Sequence, residues 1–198
     1  MDTALFFAVN RGMSNMLFDV LMPALSAGGY FLFFPYAAYI LWQGWHTADA
    51  RGRACRKSAI LAVVMAAGAF SLADWTSDLL KHAIARTRPC HVLEGVRLLV
   101  GCTKSYAMPS GHAMTSFAAA VPLFQMAGGH VPLPWRLYPL GLASAVAFSR
   151  VYVGVHYPSD VVVGALMGGV VALALMGAFH QLERYGGKRP GPDRASEG

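Results

Sequence analysis

Ser149-Arg150-Val151-Tyr152-Val153-Gly154-Val155-His156-Tyr157-Pro158-Ser159-Asp160 lies between two apolar runs, Leu137 to Val155 and Val161 to Phe179. Each run approaches the ~20 residues that a helix needs to cross a bilayer. The stretch therefore reads as the turn between two spans. Such a turn needs only residues like Tyr157-Pro158-Ser159, yet this one also carries Arg150, His156 and Asp160. Ionisable groups so close to hydrocarbon are costly and usually serve a function. The three types complement one another. An imidazole can act as nucleophile or base, a carboxylate can hold it in one tautomer, and a guanidinium can grip an anion. Taken alone, the same residues fit a structural ion pair equally well.

The composition agrees with a membrane chain. Of 198 residues, 56% are hydrophobic and 13% charged, about half the charged fraction of a soluble domain. The net charge of +6 does not point to nucleic acid. The basic residues sit in short segments between apolar runs and form no long basic face. The first basic residue, Arg11, follows the first apolar cluster, unlike the basic leader of a signal peptide.

Working outward from the turn gives five spans. Residues 1–27 are apolar but broken by Asp2, Arg11, Gly12, Asp19 and Pro23, a pattern expected of one or two short interfacial helices or of a tilted first span. Gly29 to Trp45 is the first clear span. His46 to Lys57 reads as a polar loop with Arg51, Arg53, Arg56 and Lys57, which the positive-inside rule places in the cytoplasm. Ser58 to about Ala83 is the second span, Ala113 to Ala127 the third, Leu137 to Val155 the fourth and Val161 to Phe179 the fifth. The fold class is all-α: a polytopic membrane helix bundle of five to six transmembrane helices with N-terminal interfacial helices. Residues 1–185 form a single membrane-embedded domain, and 186–198 are expected to be a disordered cytoplasmic tail.

Parity then collects the chemistry on the outer side. The second span delivers Lys81 there, followed by Arg88. The third helix begins there with Pro109-Ser110-Gly111-His112, with Pro109 fitting the first helical turn. The fourth span ends there at Arg150, with His156 just beyond, and the fifth begins at Asp160. Cations together with the free amides of a helix N-terminus suit a phosphate group. Two histidines suggest one nucleophile and one acid. The outer loop, Arg86 to Pro109, is itself basic, which is eased if several of its cations hold a substrate anion.

Lys81-x6-Arg88-Pro89, Pro109-Ser110-Gly111-His112 and Ser149-Arg150-x5-His156-x3-Asp160 resemble the three-part signature of the type-2 phosphatidic acid phosphatase superfamily. That group contains integral-membrane lipid phosphatases, soluble haloperoxidases and acid phosphatases. The resemblance spans about Asp74 to Gly168. It implies His156 as the nucleophile that forms a phosphohistidine, Asp160 as the residue that orients it, and His112 as the acid and then the base. It implies Lys81, Arg88, Ser110, Gly111 and Arg150 as the phosphate cradle, with no metal and no cofactor. The soluble members do not fit so apolar a chain.

The expected partners are a membrane lipid phosphate and the bilayer, not nucleic acid. The expected location is the bacterial inner membrane, with the site facing the periplasm. Undecaprenyl diphosphate is the expected substrate by family analogy. The alternatives are phosphatidylglycerophosphate, phosphatidate and lipid A, a lipid-to-lipid phosphotransferase, and a non-catalytic lipid-binding module. Cys90 and Cys102 share the outer loop, on the oxidising side of such a membrane, and are expected to form a disulfide. Cys55 should stay reduced. Asp74 and Asp78 are expected to pair structurally with Lys81, His82 or a hydroxyl. Arg86 reads either as a further cradle residue or as a solvated loop cation.

Overall fold

The computed structural model describes residues 1–47, 52–128 and 131–186. The described residues form helices without strands. The helices are α1 (Asp2–Asn10), α2 (Met16–Gly28), a 3-10 turn (Gly29–Leu32), α3 (Phe33–His46), α4 (Gly52–Ile84), a short α5 (Pro89–Val92), α6 (Gly111–Met126), α7 (Leu133–Tyr152) and α8 (Pro158–Gly186). Among the described residues, three stretches are long and apolar enough to cross a membrane: Met16–His46, Gly52–Val92 and Pro158–Tyr185. The chain is a multi-pass membrane protein.

Several boundaries differ from the sequence reading, each for a physical reason. The 3-10 turn joins α2 to α3 with scarcely a break, so the first apolar stretch begins at Met16 rather than Gly29. The second half of the basic segment is helix, not loop: α4 starts at Gly52 and includes Arg53, Arg56 and Lys57. Arg and Lys are good helix formers, so the basic run extends the span. Pro109 lies outside α6, behind a cis peptide bond, and Ser110 is the N-cap in extended conformation. The expected tail and the Asp49–Arg51 part of the basic segment lie outside the described residues.

Helix α6 is the centre of the bundle. Ala113, Met114, Thr115, Ser116, Ala118, Ala119 and Ala120 are all buried, so the helix is enclosed on every side. Its neighbours approach through small residues. A Cβ on Gly164 of α8 would stand 2.6 Å from the Ser110 carbonyl oxygen, and one on Gly168 would stand 2.1 Å from that of Met114. The two backbones therefore touch, the packing that membrane helices reach through small side chains. On the other side, α4 offers Ala59, Ala62, Ala66, Ala69, Ala73 and Ser77 at steps of three and four. This close packing brings one end each of α4, α6, α7 and α8 together.

Helix α1 caps that end. Buried Asn10 donates from Nδ2 to the carbonyls of Arg97 (2.8 Å) and Tyr152 (2.7 Å), and its Oδ1 accepts from the Arg97 amide at 2.9 Å. Gly154, at φ +92°, makes the turn after α7. A Cβ there would meet the Arg97 carbonyl at 2.8 Å, so the residue must be small as well as left-handed.

Candidate active site

The inner face of α4 leads directly to Lys81, four residues beyond Ser77, with its side chain 16% exposed. Its Nζ donates to Asp78 at 3.1 Å and lies 3.2 Å from where a Cβ on Gly111 would be; Ser77 Oγ is equally close. Gly111 thus lets an ammonium reach the first turn of α6. The first intrahelical bond there is Met114 N–H to the Ser110 carbonyl, at 2.9 Å. The amides of Gly111, His112 and Ala113 precede it and form the positive end of the helix. The Ser110 amide is not free, as the sequence reading supposed: it donates to the Asp160 carbonyl at 3.0 Å. The Ser110 hydroxyl is buried and has no protein partner.

His156 follows the turn after α7 and is 1% exposed. Arg88 Nη1 lies 3.1 Å from its Nε2. A guanidinium only donates, so Nε2 accepts and the imidazole proton sits on Nδ1. Nδ1 is 3.5 Å from Asp160 Oδ2, longer than a normal hydrogen bond but facing the carboxylate. Burial pushes the His156 imidazole down to about 4. Asp160 pulls against it, and the Arg88 and Arg150 charges add to the lowering. A neutral imidazole with its Nε2 lone pair directed at a guanidinium is chemically a nucleophile beside an anion-binding group. Arg88 is itself fixed: Nε donates to the Ser105 carbonyl at 2.8 Å, Nη2 to Ser105 Oγ at 2.9 Å and Nη1 to the Val155 carbonyl at 3.2 Å.

Asp160 is fully buried in the first turn of α8, where Pro158 holds the first helical position. Its Oδ2 accepts from the Tyr157 amide at 2.8 Å, as the third residue of a helix often reaches back to its cap. Its Oδ1 accepts from Arg86 Nη1 at 2.7 Å. Arg86 is thus neither a cradle residue nor a solvated cation. It also binds Ser159 Oγ (2.6 Å) and Asp2 Oδ2 (2.6 Å), and lies 4.1 Å from the Tyr157 ring centre. Burial would raise the Asp2 carboxyl, but hydrogen bonds from Ser159 and Arg86 outweigh it and hold the group below the usual range.

The other arginines at this end of the bundle divide between roles. Arg97 pairs with Asp19, which also accepts from Tyr152 OH at 2.5 Å, so it is occupied by protein. Arg150, buried at the end of α7, donates from Nη1 to Ser26, while its Nε is buried without a protein partner. Asp78 binds Lys81 but is exposed, and Asp74 is also exposed. His112 sits in the first turn of α6 with the Tyr30 ring 5.3 Å away; the Tyr30 hydroxyl bonds Thr115 Oγ1 at 2.9 Å. In the sequence Tyr30 is only an aromatic near the start of the first clear span, and Asp2 only an acid that breaks an apolar stretch. Cys90 and Cys102 are joined by a disulfide, Cα to Cα 6.4 Å, and Cys55 is free.

Tyr30 also borders an apolar cavity of about 300 Å³ between α3, α4 and α6, lined by Phe33, Ala66, Phe70, Ala119 and Leu123 among others. One end of the bundle thus combines cations, helix-end amides and a buried His-Asp pair, next to an apolar recess.

Residues 57–184 match the profile of the PAP2 superfamily. The chain is similar to a decaprenylphosphoryl-5-phosphoribose phosphatase of Mycolicibacterium smegmatis, 38% identical over 123 residues, covering 62% of each chain. It is also similar to an undecaprenyl-diphosphatase of Sulfolobus acidocaldarius, 36% identical over 101 residues, covering 50% of this chain and 46% of that one. The chain thus spans about three fifths of the length of the first relative and under half of the second. The crystal structure of a PAP2-type phosphatidylglycerolphosphate phosphatase from Bacillus subtilis superposes with a TM-score of 0.65 at 21% identity, over 93% of this chain and 87% of that one. That likeness shows a shared fold.

Proposed function

Because the chain belongs to the PAP2 superfamily, we propose that it is a metal-independent lipid phosphatase working through a phosphohistidine. The observation that carries this reading is the orientation of His156: Nε2 faces Arg88 at 3.1 Å and Nδ1 faces Asp160 at 3.5 Å. Phosphoryl transfer needs charge stabilisation and in-line positioning above all. Lys81, Arg88, Arg150, the Ser110 hydroxyl and the amides from Gly111 onward hold the phosphoryl oxygens. Arg88 moves its bond from Nε2 to a phosphoryl oxygen as substrate enters, which frees the lone pair for attack.

Nε2 forms a bond to phosphorus as the bond to the leaving oxygen breaks, and His112 gives that oxygen its proton. Asp160 balances the cationic phosphohistidine through Nδ1–H. His112, now neutral, takes a proton from water. The water oxygen attacks phosphorus, the P–N bond breaks, and inorganic phosphate leaves with His156 neutral again.

The substrate class is a polyprenyl phosphate or diphosphate, with undecaprenyl diphosphate as the leading member. Two relatives of this chain carry polyprenyl substrates in their names. The apolar recess beside Tyr30 suits the first units of such a chain. The site faces the outside of a bacterial inner membrane, opposite the basic start of α4, and residues 1–185 act as one domain. The intact His-Asp pair argues against a non-catalytic module.

The test is phosphate release by purified protein in detergent, with chelator present. The panel comprises undecaprenyl diphosphate, decaprenylphosphoryl-phosphoribose, phosphatidylglycerophosphate, phosphatidate and lipid A. Release from the polyprenyl lipids above the others supports the reading. A requirement for added metal rejects the metal-free mechanism, and preference for a glycerolipid or lipid A rejects the substrate class.

A further inference from the structure

Helix α8 begins at Pro158, so its N-cap position belongs to Tyr157, a residue with no short acceptor to close the first turn. Asp2 supplies that acceptor from another helix. Its Oδ1 accepts from the Ser159 amide at 3.1 Å and its Oδ2 from Ser159 Oγ at 2.5 Å. The same carboxylate binds Arg86 at 2.6 Å, and Arg86 binds Asp160 at 2.7 Å. This is not a casual surface contact. Buried Phe6 of α1 lies 5.8 Å from the Tyr157 ring, and Asn10 locks the far end of the helix.

We propose that Asp2 is a positioning residue of the active site, acting through Arg86 to set the charge and orientation that Asp160 presents to His156. The inference rests on the reading of His156 as nucleophile. Among the described residues, the charged and titratable groups close to that histidine are Arg88, Arg150 and His112, against one carboxylate, Asp160. An arginine held by Asp160 alone would neutralise the only negative charge available to the cationic intermediate. With Asp2 on its other nitrogen, Arg86 is shared between two carboxylates, and the group of three keeps a net negative charge. Asp160 can then offset the positive charge that His156 acquires on phosphorylation. Asp2 reaches no phosphate-binding atom in the structure, so its effect belongs on turnover and not on substrate capture.

The experiment uses the full chain in detergent with chelator and farnesyl diphosphate as probe. kcat and KM are measured across pH for wild type, Asp2→Asn, Asp2→Glu, Arg86→Gln and His156→Ala. Asp2→Asn should lower kcat by about tenfold with KM within about twofold. It should move the acid limb of kcat/KM to lower pH, because His156 loses negative field. Arg86→Gln should move that limb to higher pH, and Asp2→Glu should recover part of kcat. Wild-type kcat and an unmoved limb in Asp2→Asn would overturn the proposal. So would shifts of the same sign in Asp2→Asn and Arg86→Gln, which only a loosened α1 would give. If Asp2→Asn does not fold, Arg86→Gln decides, and an unmoved limb there overturns the proposal. Activity in His156→Ala, or no release by wild type, would instead remove the nucleophile reading, and this inference with it.

Discussion

Ser105 accepts two hydrogen bonds from Arg88, one on its carbonyl from Nε at 2.8 Å and one on its hydroxyl from Nη2 at 2.9 Å. The Cys90–Cys102 disulfide closes the loop that carries this contact, since Cys90 follows Arg88 by two residues and Cys102 precedes Ser105 by three. A loop of this size loses about 3 kcal/mol of unfolded-state entropy when cross-linked. The disulfide therefore helps keep the guanidinium aimed at His156.

Replacing both Cys90 and Cys102 with Ser should raise KM several-fold with a smaller change in kcat, because Arg88 is held less firmly. Ser105→Ala should do the same to a lesser degree. Steady-state kinetics on a lipid phosphate check this, and an unchanged KM in the double variant would separate the loop from substrate binding. In intact cells a membrane-impermeant thiol reagent should label Cys90 only after reduction.

Gly111→Ala should weaken substrate binding. The new Cβ would sit 3.2 Å from both Lys81 Nζ and Ser77 Oγ, so the ammonium must give by a few tenths of an ångström. A displaced charge-assisted contact predicts a rise in KM of about twofold to threefold. Lys81→Ala removes the ammonium altogether and should raise KM by roughly tenfold or more, and Gly111→Ala should then add little to it.

The pH profile should reflect the buried state of His156. Its imidazole is lowered to about 4, so the neutral nucleophile persists well below the ordinary histidine value near 6.5. Loss of kcat/KM through His156 is expected only as the pH approaches 4. The stability sign follows: the unfolded chain takes up this proton below about 6.5 while the folded one resists it. Stability from this group is thus complete above about 6.5 and declines as pH falls toward 4. Imidazole NMR of labelled protein checks the value directly, and titration of His156 near 6.5 would contradict it.

Gly168→Ala should destabilise the bundle at the seam between α6 and α8. A Cβ there would fall 2.1 Å from the Met114 carbonyl oxygen, which forces α6 and α8 apart. Overpacking at such a seam costs roughly 1–3 kcal/mol. Thermal unfolding in detergent should show the loss, and a melting temperature equal to wild type would contradict the close contact of the two backbones.

The helical class, the position of the turn before α8 and the residues that meet at one end of the bundle were legible because each depends on local pattern. Span length and parity place Lys81, His112, Arg150 and Asp160 on one side whatever the side-chain details. The ends of helices were less legible. Arg53, Arg56 and Lys57 look like a loop by charge but are helical by propensity. Pro109 has the residue type for a first turn, yet Ser110 and Gly111 start the helix. The pair of Lys81 with Asp78 was legible from helical spacing, but the distant partners of the arginines were not. Arg86 meets Asp2 across 84 residues and Arg97 meets Asp19 across 78. The motif Lys81-x6-Arg88-Pro89 sets Arg88 apart, but no local pattern names the partners of Arg86 and Arg97. Tyr30 likewise reads as an interfacial aromatic until the fold places it against His112.

The mechanism stands or falls on whether His156 carries the phosphoryl group. Its most direct test is to mix the enzyme with radiolabelled lipid diphosphate, quench with alkali, where phosphohistidine survives, and locate the label by peptide mapping. Label should appear on His156 within the first turnover and be absent in His156→Ala. Label on another residue, or turnover with no labelled protein at any time, would contradict it.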